Sequence, residues 1–169
     1  MCIRDRASEF AFTEERAGAR GGKVRIDRLP IGIALGIVPC NVPIFLACLK
    51  LATALLAGCP VVLKPSPENV DSMALFSRYL ARMDLPTGAV NLILGGRVLG
   101  DHLVRNDVFR KVSFTGSSAS GLAVAQLCAR RFARVTLELG GKSSAILLDD
   151  VDFTEVKDQL WLAMLQNNG

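Results

Sequence analysis

The sequence lacks several residue types and patterns on which whole classes of protein depend. It has one histidine, 6% aromatic residues and no C-x-x-C pair among its five cysteines. The single histidine, His102, would have to serve any Ser-His-Asp triad alone. The cysteines lack the spacing of zinc ligands, so we expect no metal site. Basic residues outnumber acidic ones by only 20 to 16 and are spread along the chain, apart from Arg130–Arg131. Without clustered charge or many stacking rings, we expect no nucleic-acid partner.

What is present is the composition of a globular protein. Half of the 169 residues are hydrophobic and 21% are charged, which excludes a disordered chain. Unpaired cysteines are typical of a reducing compartment, and we expect a cytoplasmic protein. Ile31–Leu49 carries no charge and is long enough for a membrane helix, but Pro39 and Pro43 would break that helix where lipid cannot satisfy the backbone. We therefore expect no membrane partner.

Both ends of the chain indicate a piece of a longer protein. Residues 1–6, Met-Cys-Ile-Arg-Asp-Arg, match the in-frame translation of a transposase adapter used in sequencing libraries. We interpret these residues as an artefact and exclude them from fold reasoning, a genuine charged N-terminus being the alternative. At the other end, Gln166–Gly169 directly follows an amphipathic segment.

From Leu29 onward, short apolar segments alternate with segments of helical spacing. The predicted strands are Ile31–Val38, Pro60–Pro65, Val90–Leu94, Lys111–Thr115, Val135–Leu139 and Ala145–Leu148. The predicted helices are Pro43–Ala57, Asn69–Met83, Val98–Arg105, Ser118–Cys128 and Asp152–Leu165. Strand and helix alternate at intervals of roughly 20 to 30 residues, which predicts βαβ units and hence an α/β fold with a doubly wound open parallel sheet.

Ligands on such sheets bind beyond the carboxyl ends of the strands, so the polar and glycine-rich residues at those positions are the candidates for a site. They are Cys40-Asn41, Lys64, Gly95-Gly96, Thr115-Gly116-Ser117 and Glu138. Each has a functional and a purely structural interpretation. Thr115–Ser117, with Gly121 beyond it, could bind phosphate at a helix start, or Ser117 could simply cap that helix.

Three further side chains have the same two kinds of interpretation. Glu138, between Leu137 and Leu139, could be a general base whose charged form is disfavoured by apolar neighbours, or a solvent-facing residue of an alternating strand. Lys50 lies in an apolar helix, where a buried ammonium needs a partner, unless its head reaches the surface. Asn41 could be a fixed amide donor or an ordinary turn residue.

Five segments resemble motifs of the aldehyde dehydrogenase superfamily, in the family's order and at its approximate spacings. They are Pro39-Cys40-Asn41-Val42-Pro43, Ala57–Ser66, Leu85–Asn91, Phe114-Thr115-Gly116-Ser117 and Leu137-Glu138-Leu139-Gly140-Gly141-Lys142-Ser143. The resemblance runs over roughly Pro30–Gly169 and covers about a third of a full family member. It implies an incomplete Rossmann-like cofactor-binding domain over residues 7–138 and the start of a catalytic domain over 139–169.

The resemblance also implies the chemistry, which is oxidation of an aldehyde to a carboxylic acid with NAD or NADP through a cysteine thioester. Asn41 would donate its amide to the oxyanion of the thiohemiacetal. Glu138 would be the general base that activates water against the thioester, and Lys50 would support the active site and its proton movements. The partners implied are a small aldehyde substrate and further copies of the same chain in a homo-oligomer.

On the cofactor side, the resemblance assigns four residues. Lys64 would contact the adenosine ribose, and Ser117 would lie by the pyrophosphate, with Gly116 and Gly121 allowing close approach.

Three departures from the family pattern leave alternatives open. Cys40 replaces the usual Trp, and Pro67 stands where a ribose-binding Glu is usual, with Glu68 one place later, so NAD and NADP both remain possible. The N-x-G-Q-x-C segment of the nucleophile stops at Gly169, so we expect the 169-residue chain to be inactive.

A CoA-acylating enzyme is a rival that generally lacks the base represented by Glu138. A non-catalytic nucleotide-binding module or pseudoenzyme is the alternative from another class.

Overall fold

The structure is a computed structural model that describes residues 4–165. The interpretation of Met1–Ile3 as adapter sequence and that of Asn167–Gly169 as the start of a nucleophile motif lie outside the described residues. The chain divides into two compact units, one ending at Leu139 and the other beginning at Gly140.

The first unit begins with a hairpin that was not predicted from the sequence. After a short 3-10 helix, strand β1 (Thr13–Ala17) pairs antiparallel with β2 (Lys23–Asp27). The turn between them uses two glycines of positive φ, Gly21 and Gly22. Strand β1 is charged and mostly exposed and shows no apolar alternation, whereas β2 places Val24 and Ile26 between charged residues in a short alternating pattern that the prediction missed.

The remainder of this unit is a five-stranded parallel sheet with four helices. Its strands are β3 (Ile33–Val38), β4 (Val61–Pro65), β5 (Val90–Leu92), β6 (Phe109–Gly116) and β7 (Arg134–Leu139). The helices are α1 (Pro43–Leu56), α2 (Val70–Leu80), α3 (Arg97–Arg105) and α4 (Ser118–Ala129). The spatial order is β5-β4-β3-β6-β7, so the chain first builds outward from β3 on one side and then returns to build on the other. This is the predicted doubly wound sheet, with its switch point between β3 and β6.

Strand β3 is buried on both faces, as its continuous apolar sequence predicted. Leu35 and Ile37 pack in one core cluster with residues of α3, α4 and β6. Ala34 and Val38 belong to a second cluster with residues of α1 and β4. Because side chains alternate along a strand, the two faces of the sheet carry different sets of residues and can form different sites.

The described part of the second unit contains one helix, α5 (Phe153–Leu165), close to the predicted span. The predicted strand Ala145–Leu148 is wrong, because these residues have no regular secondary structure. A strand must satisfy its main-chain groups by pairing, and the described part of this unit contains no second strand. Ile146 is 82% exposed, so its apolar sequence does not reflect burial within this unit. Within residues 4–165, no helix is both long and apolar enough to cross a membrane.

Candidate active site

A cavity of about 410 Å³ lies at the switch point, between the carboxyl ends of the central strands and helices α3 and α4. We call it the α3–α4 cavity. Its apolar wall includes the side chains of Ile37, Val104, Phe114, Val124 and Leu127. Its polar rim includes Lys64, Ser66, Glu68, Arg97, Asp101 and Ser120. An apolar wall beside a charged rim is suited to a ligand that combines an aromatic ring with hydroxyl groups.

Lys64, at the end of β4, is the buried charge of this cavity, with a residue exposure of 6%. Its Nζ donates a hydrogen bond to the Pro65 carbonyl oxygen at 3.2 Å. Burial lowers the pKa of Lys64 below 10.5, and the nearby Glu68 carboxylate opposes that shift. An ammonium group carries three donors, and one main-chain oxygen occupies only one of them. The side chain therefore has donors available to a ligand.

Glu68 is exposed and accepts a hydrogen bond from the Ser66 hydroxyl. That hydroxyl, together with the Glu68 main-chain N–H, lowers the pKa of the Glu68 carboxyl group, so the group is charged at neutral pH. Asp101, also on the rim, already accepts from Arg105 at 2.6 Å. Glu68 is thus the rim carboxylate that has no cationic partner in an ion pair among residues 4–165.

Ser117 caps helix α4, since its Oγ accepts a hydrogen bond from the Ser120 main-chain N–H at 3.3 Å. This bears out the structural interpretation of that serine. A Cβ at Gly121 would lie 2.3 Å from Leu139 Cδ2, so this glycine lets α4 pack closely on the end of β7. Neither Ser117 nor Gly121 lines the α3–α4 cavity, and neither does Gly116. Their contact with a pyrophosphate stays a prediction.

The opposite face of the sheet holds a second open cleft of about 490 Å³, which we call the α1 cleft. Lys50, on the inner side of α1, lines it together with Ser113 of β6 and Glu138 of β7. Lys50 is only 9% exposed, and its Nζ donates to Ser113 Oγ at 2.9 Å. The predicted need of this buried lysine for a partner is therefore met by a hydroxyl group. In the same cleft, Lys111 Nζ donates to Thr136 Oγ1.

The surroundings of Glu138 differ from those expected from its neighbours in the sequence. Leu137 packs in the core cluster of α4, and Leu139 contacts Gly121 of that helix, so both leucines lie on the other face of the sheet. Glu138 itself is exposed and faces the α1 cleft. The expectation of a carboxylate among apolar side chains is wrong, because alternate residues of a strand point to opposite faces.

The α1 cleft is rich in positive charge. Lys50, Lys111 and Arg134 line it, and Glu138 is the carboxylate among its lining residues. Burial lowers the pKa of Lys50 below 10.5; the Glu138 carboxylate opposes this shift and the Lys111 ammonium adds to it. Lys50 and Glu138 therefore line one cleft, and the family resemblance had implied only that both belong to the active site.

Asn41 is exposed in the turn between β3 and α1, at the edge of the sheet where the parallel strands have their carboxyl ends. Pro43 begins the helix directly after it, and Val42 at the cap position makes no side-chain hydrogen bond. One contact from elsewhere holds this turn, because Asn69 Nδ2 donates to the Cys40 carbonyl oxygen at 3.1 Å. Asn69 and Ser113 were not singled out from the sequence, since a polar residue near a strand end carries no signal of a partner distant in the chain.

The reversed strand order, the cavity at the switch point and the polar groups at the carboxyl edge together define a nucleotide-binding α/β protein of the doubly wound, Rossmann-like class. The family model for the Aldehyde dehydrogenase family matches residues 5–169, and the chain belongs to this family.

The relatives agree in sequence and in structure. The chain is 41% identical over 163 residues to geranial dehydrogenase of Castellaniella defragrans. The alignment covers 96% of this chain and 34% of that protein. A Mycobacterium tuberculosis aldehyde dehydrogenase complexed with NAD+ superposes with a TM-score of 0.93 at 38% identity, over 98% of this chain and 34% of that one. A mutant of aldehyde dehydrogenase C from Pseudomonas syringae, in complex with NAD+ and octanal, gives a TM-score of 0.89 at 36% identity, over 98% and 33%. The chain thus spans about a third of the length of the relatives it matches.

No group of three or more His, Cys, Asp or Glu side chains in the described part of the chain is arranged to hold a metal ion. The four cysteines among those residues are free; Cys59 and Cys128 are buried, whereas Cys40 and Cys48 are exposed.

Proposed function

We propose that this chain belongs to a longer NAD-dependent enzyme that oxidises an aldehyde to a carboxylic acid through a cysteine thioester. The observation that carries the proposal is the placement of Glu138 in an open, positively charged cleft beside the buried Lys50. A carboxylate that is exposed to water and kept ionised by nearby positive charge is in a position to contact a water molecule and accept a proton from it. Hydrolysis of a thioester requires such a base, whereas transfer of the acyl group to a thiol does not.

The residues of the α3–α4 cavity fit a dinucleotide cofactor. Its apolar wall can accept a flat base, and the free donors of Lys64 suit ribose hydroxyl oxygens. NAD supplies a hydride acceptor when it is bound. The solved structures of the two relatives described above contain NAD+, which supports the same assignment.

Glu68 supports NAD rather than NADP as the cofactor. Pro67 stands at the place of the family's usual ribose-binding carboxylate, yet the next residue places its carboxylate on the rim of the cavity that also contains Lys64. A charged carboxylate can accept hydrogen bonds from ribose hydroxyls, and it repels the additional phosphate of NADP. The carboxylate is displaced by one residue in the sequence, yet the charge that would distinguish NAD from NADP stays at the same cavity.

The roles of the remaining groups follow from their chemistry. The Asn41 side-chain amide would donate to the oxygen that becomes negative when a thiolate attacks the aldehyde carbonyl. Glu138 would take a proton from the water that attacks the thioester. Lys50, held by Ser113, would stabilise the charged carboxylate and return the proton toward solvent. The expected inactivity of the isolated 169-residue chain stays a prediction.

The test is the variant Glu138→Gln in the full-length protein, with Glu15→Gln on the exposed hairpin as the control. Acylation and hydride transfer do not need a base toward water, so a first burst of NADH should survive. Steady-state turnover should fall on the order of 100-fold, since Gln cannot accept the proton. Rapid-mixing absorbance measures both phases.

Each other outcome identifies a rival. An unchanged burst and an unchanged steady-state rate would make Glu138 structural and overturn the hydrolytic assignment. Turnover of the wild-type enzyme that requires an added thiol would indicate the acyl-transferring branch. Binding of NAD without any aldehyde-dependent turnover would favour the non-catalytic nucleotide-binding module.

A further inference from the structure

We propose that Asn69 is a positioning residue that holds Asn41 in place and links it to the Lys64–Glu68 segment of the α3–α4 cavity. The inference rests on the proposed function, because the role of Asn41 belongs to that function. Asn69 does not line either cavity, so it acts on the reaction only through the turn that it contacts.

The contact joins two segments that are distant in sequence. Asn69 Nδ2 donates to the Cys40 carbonyl oxygen at 3.1 Å across 29 residues, and Cys40 immediately precedes Asn41. Among residues 4–165, no other side-chain hydrogen bond reaches residues 39–42, and the cap position of α1 is without one. The Asn69 amide is thus the polar side-chain restraint on the main chain that presents Asn41.

Asn69 is itself held firmly enough to act as an anchor. Its main-chain N–H donates to the Ser66 carbonyl oxygen at 3.1 Å, and its own carbonyl accepts from Ser72 Oγ at 3.1 Å. Its Oδ1 atom is buried without a hydrogen-bond partner. Exchanging Oδ1 and Nδ2 would place that oxygen against the Cys40 carbonyl oxygen, so the observed orientation of the amide is the favourable one.

The position of Asn69 connects the two sites. Asn69 directly follows Glu68 in the sequence, and its main-chain N–H is hydrogen-bonded to the Ser66 carbonyl oxygen. Both Ser66 and Glu68 lie on the rim of the α3–α4 cavity. A ligand that contacts Ser66 and Glu68 therefore lies next to the residue that holds the turn of Asn41.

The expected effect is a loss of rate rather than of cofactor affinity. Oxyanion donors act because they are fixed before the reaction, and a shift of about 1 Å can cost on the order of 100-fold in rate. Losing one of several restraints should allow a smaller displacement. We therefore expect Asn69→Ala to lower kcat by about tenfold and to change the Kd for NAD by less than about twofold.

The experiment uses the full-length enzyme and compares three changes. Asn69→Ala removes the contact, and Asn69→Asp keeps the size of the side chain while removing its donor, so the second variant decides if the first fails to fold. Asn91→Ala is the matched control, because Asn91 Nδ2 also donates to a main-chain carbonyl, that of Gly88 at 2.9 Å, but outside both cavities. We expect both Asn69 variants to lose rate and Asn91→Ala to retain it.

A double-mutant cycle separates positioning from general damage. If Asn69 acts through Asn41, then Asn69→Ala should have no further effect on kcat in a protein that already carries Asn41→Ala. An equal loss in both backgrounds, or an equal loss in Asn91→Ala, would overturn the inference. A wild-type enzyme without aldehyde oxidation would refute the proposed function first and the inference with it, whereas an active wild type with additive losses refutes the inference alone.

Discussion

Gly58 ends helix α1, the element that starts next to Asn41 and carries Lys50. The main-chain N–H of Gly58 donates to the Leu55 carbonyl, and that of Cys59 donates to the Ala54 carbonyl, both at 2.9 Å. This is the Schellman pattern, which requires a left-handed residue at Gly58, and its φ is +73°. A Cβ at this position would also lie 2.9 Å from Cγ of Pro30. Replacing Gly58 by Ala therefore perturbs the backbone and a side-chain contact together.

The magnitude can be worked out from these two terms. The left-handed conformation costs an L-residue about 1–2 kcal/mol. The proline ring cannot rotate away as a flexible side chain would, so the contact adds about 1 kcal/mol or more. Alanine restricts the unfolded chain and returns about 0.4–1 kcal/mol. We expect Gly58→Ala to lower the free energy of unfolding by about 2 kcal/mol, a large part of the roughly 5–15 kcal/mol that holds a typical domain together.

The chain offers a matched control for the backbone term. Gly88 has a φ of +81°, and a Cβ there would meet no atom within 4 Å. Gly88→Ala should therefore cost about 1 kcal/mol, less than Gly58→Ala. Urea unfolding followed by circular dichroism measures both. Equal losses in the two variants would refute the steric reasoning, and so would a Pro30→Ala background that fails to reduce the cost of Gly58→Ala.

Two further outcomes concern charge. Because burial lowers the pKa of Lys50 below 10.5, the folded state binds its proton less readily than the unfolded state does. The free energy of unfolding of the wild type relative to that of Lys50→Met should therefore rise as the pH increases toward 10.5. Urea unfolding at several pH values measures this difference, and a fall with pH would contradict the prediction. Glu68→Gln should raise kcat/KM with NADP relative to NAD by about tenfold, because it removes the charge that repels the additional phosphate. Asp71→Asn, outside the cavity, is its control, and an unchanged cofactor ratio in Glu68→Gln would exclude Glu68 as the discriminating group.

The sequence predicted those features whose cause is local. The unbroken apolar run of β3 indicates a strand covered on both faces, and the structure buries it on both. The predicted end of the first helix at Ala57, which Gly58 follows, and the Ser117 cap both follow from the chemistry of single residues, and both are confirmed. The alternation of such elements was then sufficient to predict a doubly wound sheet.

Features that depend on a partner distant in the chain could not be predicted in this way. Strand β1 carries no apolar period and is defined by its pairing with β2, whose short alternation of Val24 and Ile26 with charged residues was missed. Ala145–Leu148 has the sequence of a strand but no strand beside it among the described residues of its unit. Ser113 became a candidate only when the fold placed it opposite Lys50. Burial, pairing and register decide these cases, and none of them is a property of one segment.

The alternation of side chains along β6 and β7 explains how one sheet can serve two sites. In β6, Ser113 faces the α1 cleft and holds Lys50, whereas the next residue, Phe114, lines the α3–α4 cavity. In β7, Glu138 faces the α1 cleft while its neighbours pack against α4. A shift of one residue in the pairing of β6 with β7 would turn Glu138 toward α4 and bring a leucine into the cleft. The packing of Leu137 and Leu139 on α4 therefore stabilises the sheet and also fixes the face on which Glu138 lies.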